Sequence, residues 1–238
     1  MRCLVTAGNT RERIDSVRDW GNIFTGNTGL SIAQSLAHIA TVDLLTSNRQ
    51  HITLLESTPS IHASPFTTHQ ELVGSLDALL ARTQYNAIFM TAAVSDYKPV
   101  STYAVLSRTP HADAQQETWQ VQNVQQGKIK STHKEIAILG QPTEKIIDLF
   151  RPRWHHKGLL IKFKLEVGIS KDELLKIADA SRRASQADYL VANTLEMVEG
   201  GNAGAYLLSD SAAPEWIPRT QLAARMCEIV ASNNSTAH

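Results

Sequence analysis

The sequence has few cysteines, the residues whose disulfides could stabilise a fold that lacks a large buried core. Its 238 residues include two cysteines, Cys3 and Cys227, at opposite ends of the chain. No disulfide framework is expected, and both side chains are predicted to be packing residues. No apolar run approaches the roughly 20 residues that a membrane-spanning helix needs, and no signal segment opens the chain. We therefore expect a cytoplasmic protein without a membrane partner.

The sequence also lacks an excess of either charge. Lysine plus arginine equals aspartate plus glutamate at 23 each. No global electrostatic field therefore favours nucleic acid or an anionic membrane surface, and no nucleic-acid partner is expected. A charged ligand would have to be held by local groups.

Short apolar segments alternate with amphipathic ones, as in an α/β domain whose mostly parallel sheet is covered on both faces. The pattern predicts strands near residues 2–7, 42–46, 52–55, 87–92, 134–139, 158–163 and 188–192. It predicts helices near residues 29–40, 68–83, 142–151, 170–186 and 219–232, with Thr68 and Glu71 capping the second. We expect a single domain over residues 1–232 and a disordered tail at 233–238.

One segment, residues 97–133, breaks this alternation. It contains three short strand-like pieces, many glutamine, serine and threonine residues, and no convincing helix. A loop of this length inside a compact α/β domain is usually a functional flap or an arm that reaches a partner subunit.

Residues 5–29 predict a strand that runs into a glycine-bearing loop and then into a helix. The apolar strand breaks at Gly8, and Gly26 and Gly29 precede the helical pattern. A helix that begins there presents free N–H groups and the positive end of its dipole to an anion, and glycine lets a phosphate approach closely. The alternative is an ordinary strand-to-helix loop, because the fuller G-x-G-x-x-G fingerprint is absent.

Polar residues follow several predicted strands, where ligands bind in open parallel sheets. These segments are Gly8-Asn9-Thr10-Arg11, Ala92-Ala93-Val94-Ser95-Asp96-Tyr97, Phe163-Lys164-Leu165-Glu166 and Ala192-Asn193, together with Gly127-Lys128-Ile129-Lys130 where the flap returns. Taken in their order along the chain, and with Val5-Thr6-Ala7 before them, these segments resemble the phosphopantothenoylcysteine synthetase family, also called phosphopantothenate–cysteine ligase. The resemblance covers nearly the whole chain.

The resemblance implies a Rossmann-like three-layer fold with a long flap or dimerisation arm, a homodimer, and ligation of 4′-phosphopantothenate to cysteine in coenzyme A synthesis. CTP or ATP, with Mg²⁺, would activate the substrate carboxylate as an acyl-nucleotide and release pyrophosphate. The cysteine amine would then displace the nucleotide. No flavin-dependent decarboxylase domain fits within 238 residues, so the product would pass to a separate decarboxylase partner or diffuse freely.

The resemblance also implies roles for particular residues. Asn22 would contact the activated intermediate, and Lys128 would contact the triphosphate from the flap; these are the two predicted catalytic residues. Asp96 would lie at the base and ribose, and Phe163 would pack against the nucleotide. The other predicted nucleotide-binding residues are Gly8, Asn9, Thr25, Gly26 and Ala92, and Arg18 and Lys130 would join Asn22 in binding substrate. No protein ligand to a metal is predicted.

Purely structural interpretations stay open for three of these residues. Asn22 could form an Asx turn or a helix cap. Lys128 could be a solvated loop lysine, and Phe163 could be a core residue.

Two departures from the family pattern leave alternatives open. Residues 24–27 are Phe-Thr-Gly-Asn where the family has Ser-Ser-Gly and a basic residue, and Ser181 and Ser185 stand where bacterial members commonly have lysines, with Arg182 and Arg183 close by. A second hypothesis is therefore a divergent, non-catalytic member that binds nucleotide or phosphopantothenate. A third, a nicotinamide-dependent oxidoreductase, rests on fold analogy alone and lacks an acidic residue after the second strand.

Overall fold

The computed structural model describes residues 1–111, 115–198 and 203–235. Its strands are β1 (Arg2–Ala7), β2 (Arg11–Arg13), β3 (Asp19–Gly21), β4 (Thr41–Thr46), β5 (Ile61–Pro65), β6 (Ala87–Met90), β7 (Tyr97–Pro110), β8 (Glu117–Asn123), β9 (Ile136–Pro142), β10 (Leu159–Glu166), β11 (Tyr189–Thr194), β12 (Gly204–Leu208) and β13 (Glu215–Pro218). Its α-helices are α1 (Asn27–Leu36), α2 (Arg49–Leu55), α3 (His69–Leu80), α4 (Lys171–Ala184) and α5 (Arg219–Ser235). Two short 3-10 helices cover Ile146–Leu149 and Leu195–Met197.

The central sheet has eight strands in the order β13-β12-β11-β10-β6-β1-β4-β5. Within this sheet the six strands β5, β4, β1, β6, β10 and β11 are parallel, whereas β12 and β13 pair antiparallel at one edge. The predicted α/β fold with a mostly parallel sheet is confirmed. The chain builds outward from β1 through β4 to β5, and then from β6 through β10 to β11 on the other side. The switch point, where ligands bind in open α/β sheets, therefore lies between β1 and β6.

The central strands are apolar on both faces because both faces are covered. Val5 and Ile161 pack on one side in the cluster that includes α1 and α5. Leu4 and Leu160 pack on the other side against α3 and the 3-10 helix at Ile146–Leu149. Continuous burial of this kind, rather than alternation, is what a parallel sheet between helical layers requires.

Local capping fixes the start of helix α3 where the sequence predicts it. The Glu71 N–H donates to Thr68 Oγ1 at 3.1 Å, and Glu71 Oε2 accepts from the Thr68 N–H at 3.4 Å. The predicted Thr68–Glu71 capping box is confirmed, and a box of this kind satisfies N–H groups that have no partner inside the helix.

Two predicted elements are wrong. Residues 52–55, predicted as a strand, belong to helix α2, whose start is capped by Asn48 through the Gln50 N–H at 3.1 Å. A four-residue apolar run cannot separate a strand from a buried helix by periodicity alone. The predicted helix at 142–151 is reduced to a 3-10 turn at Ile146–Leu149, between Pro142 and Pro152, which limit helix extension.

Five strands outside the predicted flap were not predicted from the sequence: β2, β3, β5, β12 and β13. The predicted strand at 134–139 exists as β9, but it lies outside the central sheet.

The predicted flap forms most of a separate three-stranded antiparallel sheet in the order β8-β7-β9. We call β7, β8, β9 and their connections the arm. Its return segment is attached to the loop between β2 and β3: the Ser16 N–H donates to the Gly127 carbonyl at 2.8 Å, and Gln125 Nε2 donates to the Ile14 carbonyl at 3.0 Å. The arm carries exposed apolar side chains that include Leu106, Trp119 and Leu139.

The carboxyl-terminal helix α5 is described as far as Ser235, three residues past its predicted end. The rest of the predicted disordered tail, residues 236–238, lies outside the described residues. Cys3 and Cys227 are both free thiols, and burial raises the pKa of Cys3 to about 12. Among the helices of the described chain, none is both long and apolar enough to cross a bilayer.

Candidate functional site

A cleft of about 540 Å³ opens at the carboxyl edge of the central sheet, at the switch point between β1 and β6. Its walls come from the segments that follow β1 and β6, from β10 and β11 themselves, from the start of α1, and from residues 143–147. Seven predicted site residues line it: Gly8, Asn22, Thr25, Gly26, Ala92, Asp96 and Phe163. Residues that are far apart in sequence therefore meet where the topology predicts a ligand.

The close approach of Gly8 and Gly26 forms one wall of this cleft. Both residues have left-handed backbones, with φ of 86° and 82°. A Cβ atom on Gly26 would lie 2.1 Å from the Gly8 backbone nitrogen, so a side chain at Gly26 has no room. This contact holds the beginning of α1 against the end of β1.

Helix α1 begins at the cleft without an internal cap. Gly26 is its N-cap residue, its start has no side-chain cap, and its first turn has no acidic residue. Asn27, Thr28 and Gly29 of that turn line the cleft. The unpaired N–H groups and the positive dipole end of such a helix favour an anion, above all a phosphate.

Hydrogen bonds place Asn22 at the rim of the cleft. Asn22 Nδ2 donates to the Ala93 carbonyl at 3.2 Å, and Asn9 Nδ2 donates to the Asn22 carbonyl. The Ala93 N–H in turn donates to the Gly8 carbonyl at 2.8 Å. Asn22 is thus tied to the ends of both central strands while its side chain stays exposed. Asn9 lies behind this wall, where its N–H donates to Ser47 Oγ at 2.8 Å.

Residues of α2 support the same loop from behind, which the sequence did not indicate. Asn48 Nδ2 donates to the Thr25 carbonyl at 3.2 Å, and the ring of buried His51 lies 3.2 Å from Asn48 Nδ2. Burial lowers the pKa of His51, which favours its neutral form.

Three predicted residues, Arg18, Lys128 and Lys130, lie outside the cleft lining. Arg18 Nη1 donates to Asp15 Oδ2 at 2.6 Å and to the Ile129 carbonyl at 3.3 Å. Hydrogen bonds from the Val17 and Ile129 N–H groups lower the pKa of the buried Asp15 carboxyl group. Arg18 and Asp15 therefore fasten the returning arm, and Lys128 is exposed next to this attachment. The binding roles of Arg18, Lys128 and Lys130 stay predictions.

A buried lysine, Lys162, lines the cleft and was not predicted. It is 8% exposed, and its Nζ donates to the Ser181 carbonyl and Ser181 Oγ at 3.0 Å each and to Ser185 Oγ at 3.1 Å. Burial lowers the pKa of Lys162 to about 8, partly opposed by the charge of Asp148. The available signal was a lysine inside the apolar run of β10.

The structure therefore places an ammonium group between Ser181 and Ser185, where the sequence comparison with the family indicated a loss of positive charge. The neighbouring arginines do not supply it. Arg182 is buried and pairs with Asp210 at 2.5 Å, and Arg183 pairs with Asp179 at 2.8 Å. Neither arginine lines the cleft.

Positive side chains outnumber negative ones around the described cleft. The cationic lining residues are Lys145, Lys162, Lys164 and Arg219, and the carboxylates are Asp96 and Glu144. Lys164 is itself paired with Glu166 at 2.8 Å. In a chain with no net charge, this local excess suits a polyanionic ligand.

The described residues hold no protein-only metal site. Across residues 1–111, 115–198 and 203–235, no group of three or more histidine, cysteine, aspartate or glutamate side chains is arranged to bind a metal ion.

Residues 1–106 match the family described as DNA/pantothenate metabolism flavoprotein C-terminal domain. A curated relative, the coenzyme A biosynthesis bifunctional protein CoaBC of Thermococcus kodakarensis, is 30% identical over 197 residues, which cover 82% of this chain and 41% of that protein. The CoaBC protein of Mycolicibacterium smegmatis is 31% identical over 105 residues, or 44% of this chain and 24% of that protein. The chain thus spans less than half the length of these curated relatives.

Solved structures agree with the fold over nearly the whole chain. The DNA/pantothenate metabolism flavoprotein from Streptococcus pneumoniae is 26% identical, with a TM-score of 0.75 and coverage of 98% of this chain and 99% of that one. A Cab2 variant in complex with phosphopantothenate-cysteine is 14% identical, with a TM-score of 0.71 and coverage of 99% and 88%. The second likeness supports the fold alone.

Proposed function

We propose that this chain, whose residues 1–106 match the family described as DNA/pantothenate metabolism flavoprotein C-terminal domain, is a phosphopantothenate–cysteine ligase of coenzyme A biosynthesis. The observation that carries the proposal is the cleft at the switch point, where the uncapped start of α1 meets an excess of cationic side chains. Such a site favours anions, which supports binding of the phosphates of a nucleoside triphosphate.

The proposed reaction has two steps. A carboxylate oxygen of 4′-phosphopantothenate attacks the α-phosphorus of CTP or ATP, so that the bond to the β-phosphate breaks and pyrophosphate leaves. The amine of cysteine then attacks the acyl carbon, loses a proton and forms the amide, while the nucleoside monophosphate leaves. Both steps require donors for developing negative charge and exclusion of water from the acyl-nucleotide.

Asn22 suits the first requirement. It lies at the cleft rim, and its side chain is a neutral amide that can donate without forming a tight ion pair in the ground state. Phe163 and Ala92 leave an apolar surface beside the cleft for the nucleoside. In the proposal, Asp96 contacts the base and ribose, whereas Gly8, Thr25 and Gly26 face the phosphates.

Mg²⁺ would enter with the triphosphate rather than occupy a protein cage. Asp96 and Glu144 are the carboxylates that line the described cleft, and Mg²⁺ in nucleotide sites is typically held by one or two carboxylates plus substrate phosphates. Bound there, the ion would neutralise phosphate charge and stabilise the leaving pyrophosphate.

The arm is the proposed contact with a second subunit. Its exposed Leu106, Trp119 and Leu139 offer an apolar surface that a homodimer would bury. Lys128 and Lys130 would reach phosphate groups only if the arm closed over a cleft, either its own or that of the partner. Because a relative of this chain is described as bifunctional, we further propose a decarboxylase as a partner that takes up the product.

Pyrophosphate release tests the ligase directly. The purified protein is assayed with phosphopantothenate, cysteine and Mg²⁺, with CTP and ATP in parallel, and again without cysteine to isolate the activation step. Release that depends on phosphopantothenate supports the proposal and gives the nucleotide preference. Binding of nucleotide without release, with either triphosphate, would favour the non-catalytic alternative that the altered residues 24–27 suggest.

A further inference from the structure

Lys162 is a buried cation whose polar contacts are all neutral. Its ammonium donates to one carbonyl and two hydroxyl oxygens of helix α4 and its C-cap residue, Ser181 and Ser185. No described carboxylate lies within 4.0 Å of Nζ. A charge that is only 8% exposed and has no counter-ion is costly.

Packing alone does not require this charge. The strand neighbours paired with Lys162 are Met90 on β6 and Leu190 on β11, both apolar. An uncharged chain of similar length would fill the same space without the desolvation cost. A buried charged group that lines a cleft is a candidate for function, because an ion pair with a bound ligand can offset the desolvation cost that the charge adds to folding.

The location of Lys162 indicates the kind of ligand. The residue lines the cleft together with Ser181, which its ammonium contacts, and with Lys145, whose charge acts on it. The hydroxyls of Ser181 and Ser185 are weak acceptors for an ammonium, whereas a phosphate oxygen makes a shorter and stronger charge-assisted bond. A phosphate entering this part of the cleft would supply the missing negative charge.

We propose that Lys162 is a phosphate-binding residue of the cleft. Without ligand its ammonium donates to Ser181 and Ser185, and a ligand phosphate replaces one of these hydrogen-bond acceptors. This inference rests on the proposed function in that both expected substrate classes, a nucleoside triphosphate and phosphopantothenate, carry phosphate. It adds a binding residue supplied by the sheet itself, independent of the arm.

Equilibrium binding, without turnover, tests the proposal. The full chain, Lys162→Met and Lys162→Gln are titrated separately with ATP, CTP, pyrophosphate, phosphopantothenate and the nucleosides adenosine and cytidine. Loss of one charge-assisted hydrogen bond should weaken the phosphate ligand concerned by about tenfold or more, with nucleosides unaffected. Lys176→Met, which removes an exposed lysine of helix α4 that does not line the cleft, is the matched control and should bind as the wild type does.

Comparing the ligands shows which substrate supplies the phosphate that Lys162 binds. A loss confined to triphosphates and pyrophosphate assigns Lys162 to the nucleotide, and a loss confined to phosphopantothenate assigns it to the acid substrate. Either result supports the inference even if the protein releases no pyrophosphate, so its success does not depend on the ligase assay. Wild-type affinity for every phosphate ligand in both variants, or an equal loss for nucleosides, would overturn it.

A pH series separates charge from packing. Other charged groups near the ammonium are Asp148 and Lys145 of the segment around the 3-10 helix and Lys164 of β10. Wild-type phosphate affinity should fall as the pH rises through about 8, where Lys162 loses its proton, and this dependence should be absent from Lys162→Gln. The same slope in wild type and variant would contradict the proposed role, and this comparison stands even if Lys162→Met does not fold.

Discussion

Replacing Gly26 by alanine should damage both the stability and the nucleotide affinity of this protein. Gly26 has φ of 82°, and an added Cβ would lie 2.1 Å from the nitrogen and 2.7 Å from the Cα of Gly8. Both obstacles are backbone atoms at the end of a buried strand, so they cannot rotate away. The substitution must move the start of helix α1 away from β1.

Two other glycines allow the expected cost to be divided into its parts. Gly168 also has a left-handed backbone, with φ of 68°, but an added Cβ meets nothing within 4 Å. Gly74 lies inside helix α3 and likewise has open space around it. Gly168→Ala therefore reports backbone strain alone, about 1 kcal/mol or slightly more. Gly74→Ala should stabilise the protein by roughly 0.5–1 kcal/mol, because alanine favours the helix.

Gly26→Ala combines the backbone strain with the steric overlap. We expect its cost to exceed that of Gly168→Ala and to reach at least about 2 kcal/mol. Urea unfolding of the three variants, followed by circular dichroism, gives the free energies of unfolding. Titration with ATP and CTP should show weaker binding for Gly26→Ala alone, since that variant displaces the start of α1. Equal costs for Gly26→Ala and Gly168→Ala, with nucleotide affinity unchanged, would refute this account of the cleft wall.

Three further predictions concern charged and polar groups. Asn22→Asp should leave the fold intact and reduce turnover by orders of magnitude, because it places a like charge beside a developing anion; unchanged steady-state turnover would remove Asn22 from the reaction. Lys128→Gln should weaken triphosphate binding and slow pyrophosphate release, since it removes a cation from the arm; wild-type values of both would leave Lys128 a solvated residue. Lys162→Met should raise the free energy of unfolding by up to about 3 kcal/mol at pH 7, from a pKa lowered from 10.5 to about 8. Because the unfolded chain binds this proton more tightly, the penalty is complete below pH 8 and is relieved as the pH rises towards 10.5. Urea unfolding at pH 7 and pH 10 should therefore show a smaller gap between variant and wild type at pH 10, and a constant gap would contradict this assignment.

The sequence predicted the main strands well because their burial is continuous. The runs that form β1, β6, β10 and β11 are apolar enough that few other structures could accommodate them. The edge strands β5 and β13 were missed because they are short and partly exposed, so their pairing depends on a neighbour that periodicity does not reveal. Strand β12 is largely buried but only five residues long. Residues 52–55 were misassigned for another reason, because their local pattern fits both a helix and a strand.

More of the predicted nucleotide-binding residues than of the predicted arm residues line the cleft. Gly8 and Ala92 follow strand ends, Phe163 lies in the carboxyl half of β10, and Gly26 precedes α1. A parallel sheet brings such positions to one edge. Lys128 and Lys130 belong to a segment whose position depends on side-chain contacts with a distant loop, such as those of Asp15. No repeat or periodicity encodes such a contact, so their place relative to the cleft did not follow from the sequence.

The residues along the chain were enough to predict an α/β fold with a mostly parallel sheet and a candidate ligand edge at its strand ends, since strand burial and strand-end residues are local properties of the chain. The contacts by which Arg18 attaches the arm, and the position of Lys162 between Ser181 and Ser185 without a carboxylate partner, became visible only in the folded protein. The physical reason is that the charge state and accessibility of a side chain depend on neighbours contributed by other elements. Those neighbours are set by packing across the sheet, which the order of residues along one strand does not specify.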